Sequence, residues 1–390
     1  MRAAVDSLFA DERIQRAFRL FADNESQIEA DQVRITMVAA PPFGEAPRAE
    51  VFRDVLRGLD FRPVTDAIGN VIVSYDNVGP NPVVVGAHLD TIFPADTPIE
   101  LRRRGRLVYL PGISDNGAGI VALLWVLRVA REVGLRFVRP VIGIGNIGEE
   151  GHGNLRGIRH LFNAPPWEDK TCDFIAIDGG GIQRITHQAL GSRRFRIRFT
   201  GPGGHSWADF GRPNPVHAIS SAIHHFTSAG FNRRPGTSFN VGTLRGGISV
   251  NAIPVEAVAE VDLRAIVPQN LDDMELHLRG VAGDAASAAG VTCRVEPMGE
   301  RPTGNTPAHL QVVQAALEVT RKLGVEPRLD VASTDANIPM SLGIPAIAIG
   351  GGGTCGNVHT PEEWFDPTHR PIGLQRLLAL VATLAQLEGS

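Results

Sequence analysis

Seven residues of metal-binding or proton-transfer type stand near the ends of short apolar runs in this 390-residue chain. VVVGAHLD ends in His88 and Asp90, VIGIGNIGEE in Glu149 and Glu150, and FIAIDGGG carries Asp178. AIAIGGGGTCGNVHT leads through the glycines at 350–353 to His359, and Asp115 in GISDNGAGI precedes a further apolar stretch. Each has a plain reading by itself. A histidine at a strand end is usually a hydrogen-bonded structural residue, an aspartate before a helix an N-cap, a Glu-Glu pair a solvated loop, and four glycines a tight turn. Their agreement is what points to chemistry. Several carboxylates that converge on one place repel one another unless a cation neutralises them. Two imidazoles with carboxylates and no thiolate form an N/O donor set that suits Zn²⁺, Mn²⁺ or Co²⁺. A pair of such ions ~3.5–4 Å apart can polarise a carbonyl and generate hydroxide from bound water.

The elements that must position these residues follow from the apolar pattern. The runs at 83–85, 141–144, 174–177 and 346–349 are nearly all apolar, which predicts strands buried on both faces. Residues 120–133 between the first two predict a buried helix. Strands alternating with helices predict an open, mostly parallel α/β sheet. Ligands of such sheets bind outside the carboxyl ends of the strands, which is where the acids and histidines fall. From about 190 to 302 the pattern changes. RRFRIRFTG alternates with period two, 215–228 has helical spacing, SFNVGTLRGG and EAVAEVDLRAIV read as strands, and a second helix follows over 271–290. This β-α-β-β-α-β order predicts an α+β, ferredoxin-like domain. The expected organisation is a catalytic domain over 1–187 and 304–390, interrupted by an inserted domain over 188–303. A last helix is expected over 371–387.

Composition excludes other classes. Hydrophobic residues make up 43%, charged residues 21% and the formal net charge is −4, an ordinary globular balance. The positive charges are scattered, so no nucleic-acid footprint emerges, and Arg102–Arg104 reads as a solvated loop or strand end. Cys172, Cys293 and Cys355 are too few and too far apart for a disulfide framework or a structural zinc site, and a reducing compartment fits. The first eighteen residues read as one amphipathic helix rather than an export signal. No apolar run reaches the ~18–20 residues that span a membrane. A cytoplasmic protein with no membrane partner is expected.

HLD, SDNGAG, GEEGHGNLRG, AIDGGG, GPGGHSW and NVHT, in that order, resemble the motifs of the co-catalytic metallopeptidases of the M20 family. That family includes carboxypeptidase G2-like enzymes, aminoacylases, dipeptidases and peptidase T. The resemblance covers nearly the whole chain. It implies that His88 and Asp178 bind one metal, Glu150 and His359 the other, and that Asp115 bridges both, with zinc the first choice and manganese or cobalt the alternatives. It implies that Asp90 orients His88 and that Glu149 is the general base. His205 of GPGGHSW would stabilise the oxyanion, often across a homodimer formed by the inserted lid domain; as a lone residue it reads as a loop histidine. Asn251 and Arg264 would contact substrate, Arg264 through a carboxylate, against a surface salt bridge as its plain reading. Thr334, Asp335 and the 350–353 glycine loop are weaker pocket candidates. Relatives carry Asp, Glu or His at the place of Asp178, and Asp resembles peptidase T and some dipeptidases. Short peptides are therefore the expected substrates, with N-acyl amino acids and glutamate-type carboxypeptidase substrates as alternatives. His152 has no assigned role beyond an exposed loop histidine.

Two readings from other classes compete. Gly143, Gly145 and Gly148 match GxGxxG after an apolar strand, but two acids follow where a pyrophosphate would need a helix N-terminus. A metal-free binding protein would be expected to have lost ligands, whereas the full set is present. Neither a GxSxG elbow nor an HExxH pair occurs.

Overall fold

The computed structural model describes residues 1–76, 79–163 and 172–389. The chain forms two compact units, Met1–Ala189 with Gly304–Ser390, and Leu190–Thr303.

The first unit is built on a nine-stranded sheet. Its centre consists of Val141–Asn146, Val83–His88, Asp173–Ile177 and Ala346–Ile349, adjacent in that order and parallel. These are the four apolar runs of the sequence, and every residue in them is buried. The flanking strands run the other way: Val71–Ser74 pairs antiparallel with Val141–Asn146, and Arg184–Ala189 antiparallel with Ala346–Ile349. Arg328–Ala332 then joins Arg184–Ala189 in parallel. Arg184–Ala189 and Arg328–Ala332 are polar in part, so the apolar pattern does not mark them, whereas Val71–Ser74 carries an apolar run at 71–73.

Helix Gly117–Glu132 is buried along almost its whole length. Leu123 and Leu127 of this helix lie against Gly143, where a Cβ would stand 3.1–3.2 Å from them. A Cβ at Gly145 would meet the Phe52 ring at 2.7 Å. The first two glycines of the GxGxxG match therefore make room for side chains, and the loop after them leads into a 3₁₀ turn, Gly151–Gly153, before helix Arg156–Asn163. No helix N-terminus follows the glycines directly, so the dinucleotide reading loses its structural context.

The N-terminal segment is two helices, Arg2–Ala10 and Glu12–Asp23, rather than the single one expected. Asp11 separates them. Its backbone is extended and its carboxylate accepts from Arg13 N at 2.8 Å. Capping by a short acid outcompetes helix continuation there. A small separate sheet orders Thr354–Gly356, Trp364–Asp366, Leu107–Tyr109 and Arg102–Arg104. It fastens the loop before helix Gly117–Glu132 to the loop that carries His359.

The second unit has a four-stranded antiparallel sheet in the order Thr237–Gly246, Glu256–Ala265, Gly191–Thr200, Thr292–Arg301. Helices Pro215–Ser228 and Pro268–Ala289 join its core, with Phe195, Ile197 and Phe199 alternating inward from Gly191–Thr200. The intervening residues form cross-strand ion pairs, such as Arg196 with Glu260. No helix among the described residues is long and apolar enough to cross a membrane.

Candidate metal centre

The parallel strands of the first unit end together, and their last residues meet. His88, Asp115 and Asp178 form one trio whose ligand atoms lie within 4.8 Å of one another. Asp115, Glu150 and His359 form a second trio by the same measure, and Asp115 belongs to both. Glu149 also falls within this reach of His88 and Glu150. His359 Nε2 is 3.0 Å from Asp115 Oδ2 and 3.2 Å from Glu150 Oε1. His88 Nε2 stands 3.1 Å from Asp115 Oδ1. That contact lacks hydrogen-bond alignment, and the buried Oδ1 atom has no hydrogen-bond partner. An imidazole nitrogen and an orphaned carboxylate oxygen that face one space without bonding to each other fit a shared cation.

Electrostatics support that fit. Burial pushes the Asp178 carboxyl up to about 6, and the charge of Asp115 adds to it. Burial likewise pushes Glu150 up to about 7, helped by Glu149 and Asp115 and opposed by the His359 hydrogen bond. The Asp115 and Glu150 carboxylates raise the His359 imidazole to about 10. His88 is also raised, because Asp115 and Asp90 outweigh the burial that would lower it. Burial opposes ionisation of Asp115 too, but the His359 hydrogen bond and the nearby His88 imidazole hold it below the usual carboxylate range. The cluster thus holds protons that divalent ions would replace.

Asp115 is free to serve because its neighbour caps the helix. Asn116 Oδ1 accepts from Gly119 N at 3.1 Å and from Gly179 N at 3.1 Å, while Asn116 Nδ2 donates to Ile177 O at 2.8 Å. One amide thereby ties the helix start to the end of the Asp178 strand. The N-cap reading of Asp115 is corrected by one residue.

Asp90 also differs from expectation in its hydrogen bonds. The Nδ1 atom of His88 lies 3.1 Å from the Asp90 backbone carbonyl, with the carboxylate 3.7 Å away. The Asp90 carboxylate instead accepts from Glu149 N at 3.0 Å and Glu150 N at 2.7 Å. It therefore orients the loop of both glutamates as well as neighbouring the histidine. Charge-assisted acceptance from two backbone donors is strong enough to set that loop.

Glu363 is a residue that sequence reasoning missed. Its Oε1 accepts from Ser114 N at 2.8 Å, Ser114 Oγ at 2.7 Å and Asp115 N at 2.9 Å, and its Oε2 accepts from Gly112 N at 2.9 Å. It is fully buried and clamps the loop that presents Asp115. The one signal in the sequence is an acid four residues after His359 in HTPEEWF, which looks like a solvated pair.

Thr334 and Asp335 are buried. Asp335 accepts from Asn146 Nδ2 at 2.7 Å, and burial with the charge of Glu149 holds its carboxyl well above the usual range. Glycines 350–352 lie against the backbone of 179–181, where a Cβ on Gly350 would meet the Gly180 carbonyl at 2.3 Å. Close backbone approach explains that run, and Gly353 alone of the four lines the adjoining cleft. His152 is exposed in its 3₁₀ turn.

His205, Asn251 and Arg264 belong to the second unit. His205 Nδ1 accepts from Trp207 N at 3.2 Å and Ala208 N at 3.3 Å. This pattern assigns the ring proton to Nε2 and leaves an outward N–H donor. Asn251 O accepts from Ser206 N at 3.0 Å, beside the short pairing of His205 with Ala252. Arg264 lies on the other sheet of the unit, and its Nε donates to Asp262 at 2.7 Å, so the salt-bridge reading describes that contact.

Fold and cluster define a class, a metal-dependent hydrolase of peptide or amide bonds. The sequence profile described as peptidase family M20/M25/M40 matches residues 84–383, and the chain belongs to that family. No curated protein matches the chain. Solved structures similar to it include aminopeptidase PepT from Bacillus cereus ATCC 10987, at TM-score 0.76 and 19% identity, covering 93% of this chain and 99% of that one. A tripeptidase from Staphylococcus aureus subsp. aureus Mu50 superposes at TM-score 0.79 and 19% identity, covering 93% and 99%. The di-peptidase Dug1p of Saccharomyces cerevisiae superposes at 0.76 with 13% identity, covering 96% and 98%.

Proposed function

We propose that this protein is an aminopeptidase or dipeptidase of short peptides that works with two divalent ions, zinc first and manganese or cobalt as alternatives. The observation that carries the reading is the pair of ligand trios that share Asp115. His88 and Asp178 would hold one ion, Glu150 and His359 the other, and Asp115 both. Bound there, such ions would supply Lewis-acid polarisation of the scissile carbonyl and a lowered pKa for water.

The chain's own residues do the rest. Glu149, buried beside His88 and Glu150, takes a proton from the attacking water and passes it to the leaving amine. Asp90 fixes the direction of both glutamates through their backbone N–H groups. His205, with its proton on Nε2, donates to the carbonyl oxygen as negative charge develops. Asn251 supports the same ribbon, and Arg264 contacts substrate. The 188–303 segment serves as a lid and as the homodimer surface, so that His205 acts on the partner's site. The short-peptide assignment is supported by Asp178 and by the likeness to peptidase folds.

Di- and tripeptides blocked at either end, set against N-acetyl amino acids, test the reading. Cleavage that requires a free α-amine is expected. Cleavage that requires only a free carboxylate would move the protein to the carboxypeptidase or aminoacylase branch.

A further inference from the structure

A cleft of about 530 Å³ leads away from the metal cluster within the first unit. Asp115 and Asp178 line one part of it, and Arg184, Arg328, Gln183 and His369 line another. Apart from the two metal-cluster acids, no carboxylate among the described residues lines this cleft. The floor between them is the Gly179–Gly181 run, where a Cβ at Gly179 or Gly181 would meet nothing within 4 Å.

The two arginines are placed against ordinary sheet energetics. Arg328 and Arg184 are direct cross-strand partners in the parallel pair. Like charges opposite each other destabilise a strand pair. Arg184 forms no ion pair among the described residues; its Nη2 donates to the Asp178 backbone carbonyl at 3.1 Å. Among the described residues Arg328 pairs only with Asp330, at 3.5 Å, and its side chain is 71% exposed. Behind them a third guanidinium, Arg376, is fully buried. It donates to Ile182 O at 2.7 Å and Arg184 O at 2.6 Å and forms no ion pair among the described residues. Two cations thus line one end of the cleft with a third behind them, and among the described residues the only carboxylate within ion-pair distance of them is the loosely held Asp330, while the Arg184 charge also acts on the Asp178 carboxyl. A bound anion would relieve that arrangement, and planar guanidinium groups match a carboxylate best.

We propose that Arg184 and Arg328, with His369, form a carboxylate-binding subsite that selects substrates with a carboxylate near the scissile bond. The subsite rests on the hydrolase reading above and deepens it. The carboxylate could be a peptide's C-terminal group or an acidic side chain, and the two sources are separable.

The test uses the full chain loaded with zinc and has two arms. Calorimetric binding compares glutarate with glutaramide in the wild type, Arg328→Gln and Arg184→Gln. Kinetics compare Ala-Ala-Glu with Ala-Ala-Gln, each as free acid and as C-terminal amide. Glutarate should bind the wild type about tenfold or more tighter than glutaramide, and each substitution should cut that ratio several-fold. The Arg328→Gln protein should melt no lower than the wild type, since the change removes a like-charge pair. Among the peptides, loss of kcat/KM on amidation would identify the C-terminal carboxylate, and loss on Glu-to-Gln exchange the side chain. Equal binding of the two probes, or a ratio unchanged in both variants, would overturn the subsite. Failure to cleave any of the four peptides would count against the peptidase reading, while the binding arm would still decide the subsite.

Discussion

Replacing Glu363 by glutamine keeps the size of a buried side chain and removes the charge on which four donors converge. Three of them meet at Oε1 and one, Gly112 N, at Oε2. In Glu363→Gln the retained oxygen can still accept from Ser114 and Asp115, but as a neutral acceptor about half as strong. The new amide nitrogen faces Gly112 N, donor against donor, and leaves one buried N–H unsatisfied at about 1–3 kcal/mol. With the weakened trio, the expected loss of stability is about 2–4 kcal/mol. The same loop presents Asp115, so zinc affinity should fall about 10–100-fold, the usual effect of losing a group that orients a ligand. Equilibrium denaturation of the metal-free protein measures the first number, and zinc competition against a chelating dye measures the second. A variant with stability within about 0.5 kcal/mol of wild type and unchanged zinc affinity would refute the clamp.

Three further outcomes are expected. Glu149→Gln should retain the metal content of the wild type and lose about 10²–10⁴ in kcat; turnover near the wild-type level would exclude Glu149 as the base. Asn116→Ala removes three hydrogen bonds at the helix start, two of them buried, and should cost about 2–4 kcal/mol, measured by denaturation, where a loss below about 0.5 kcal/mol would show that these bonds are dispensable. Zinc must displace protons from Asp178, Glu150 and His359, pushed up to about 6, 7 and 10, so zinc affinity should fall as the pH drops from about 8 to about 6. The metal-free protein should behave oppositely. The folded values of Asp178 and Glu150 lie above the unfolded ones, so their stabilising protonation is whole below about pH 4. That contribution is lost as the pH rises through 6 and 7. Zinc affinity flat across this range would contradict the assignment.

The legible parts of this molecule are those in which local pattern and tertiary burial coincide. The four parallel strands are apolar throughout because both faces are covered, and that pattern survives in the bare sequence. Their polar ends mark His88, Glu150 and Asp178 for the same reason. The outer strands Arg184–Ala189 and Arg328–Ala332 are partly exposed, carry no such run, and pass unnoticed. His359 is legible only through its motif, since the hairpin loop that carries it has no period. Glu363 is invisible because its donors lie 248–251 residues away and meet it only after the small sheet closes. The division of labour between Asp115 and Asn116 is also out of reach, because either side chain can cap a helix. The hydrogen bonds of Asp90 depend on backbone donors that the strand order brings beside it.

In the function proposed here one buried cluster holds two ions and hydrolysis depends on them. Elemental analysis of protein purified without chelator, coupled to turnover of a short peptide before chelation, after chelation and after zinc return, is the decisive measurement. The expected result is about two equivalents of metal per chain, activity abolished by the chelator, and recovery as the second equivalent binds. Less than one equivalent per chain, with peptide hydrolysis that survives chelation, would contradict it.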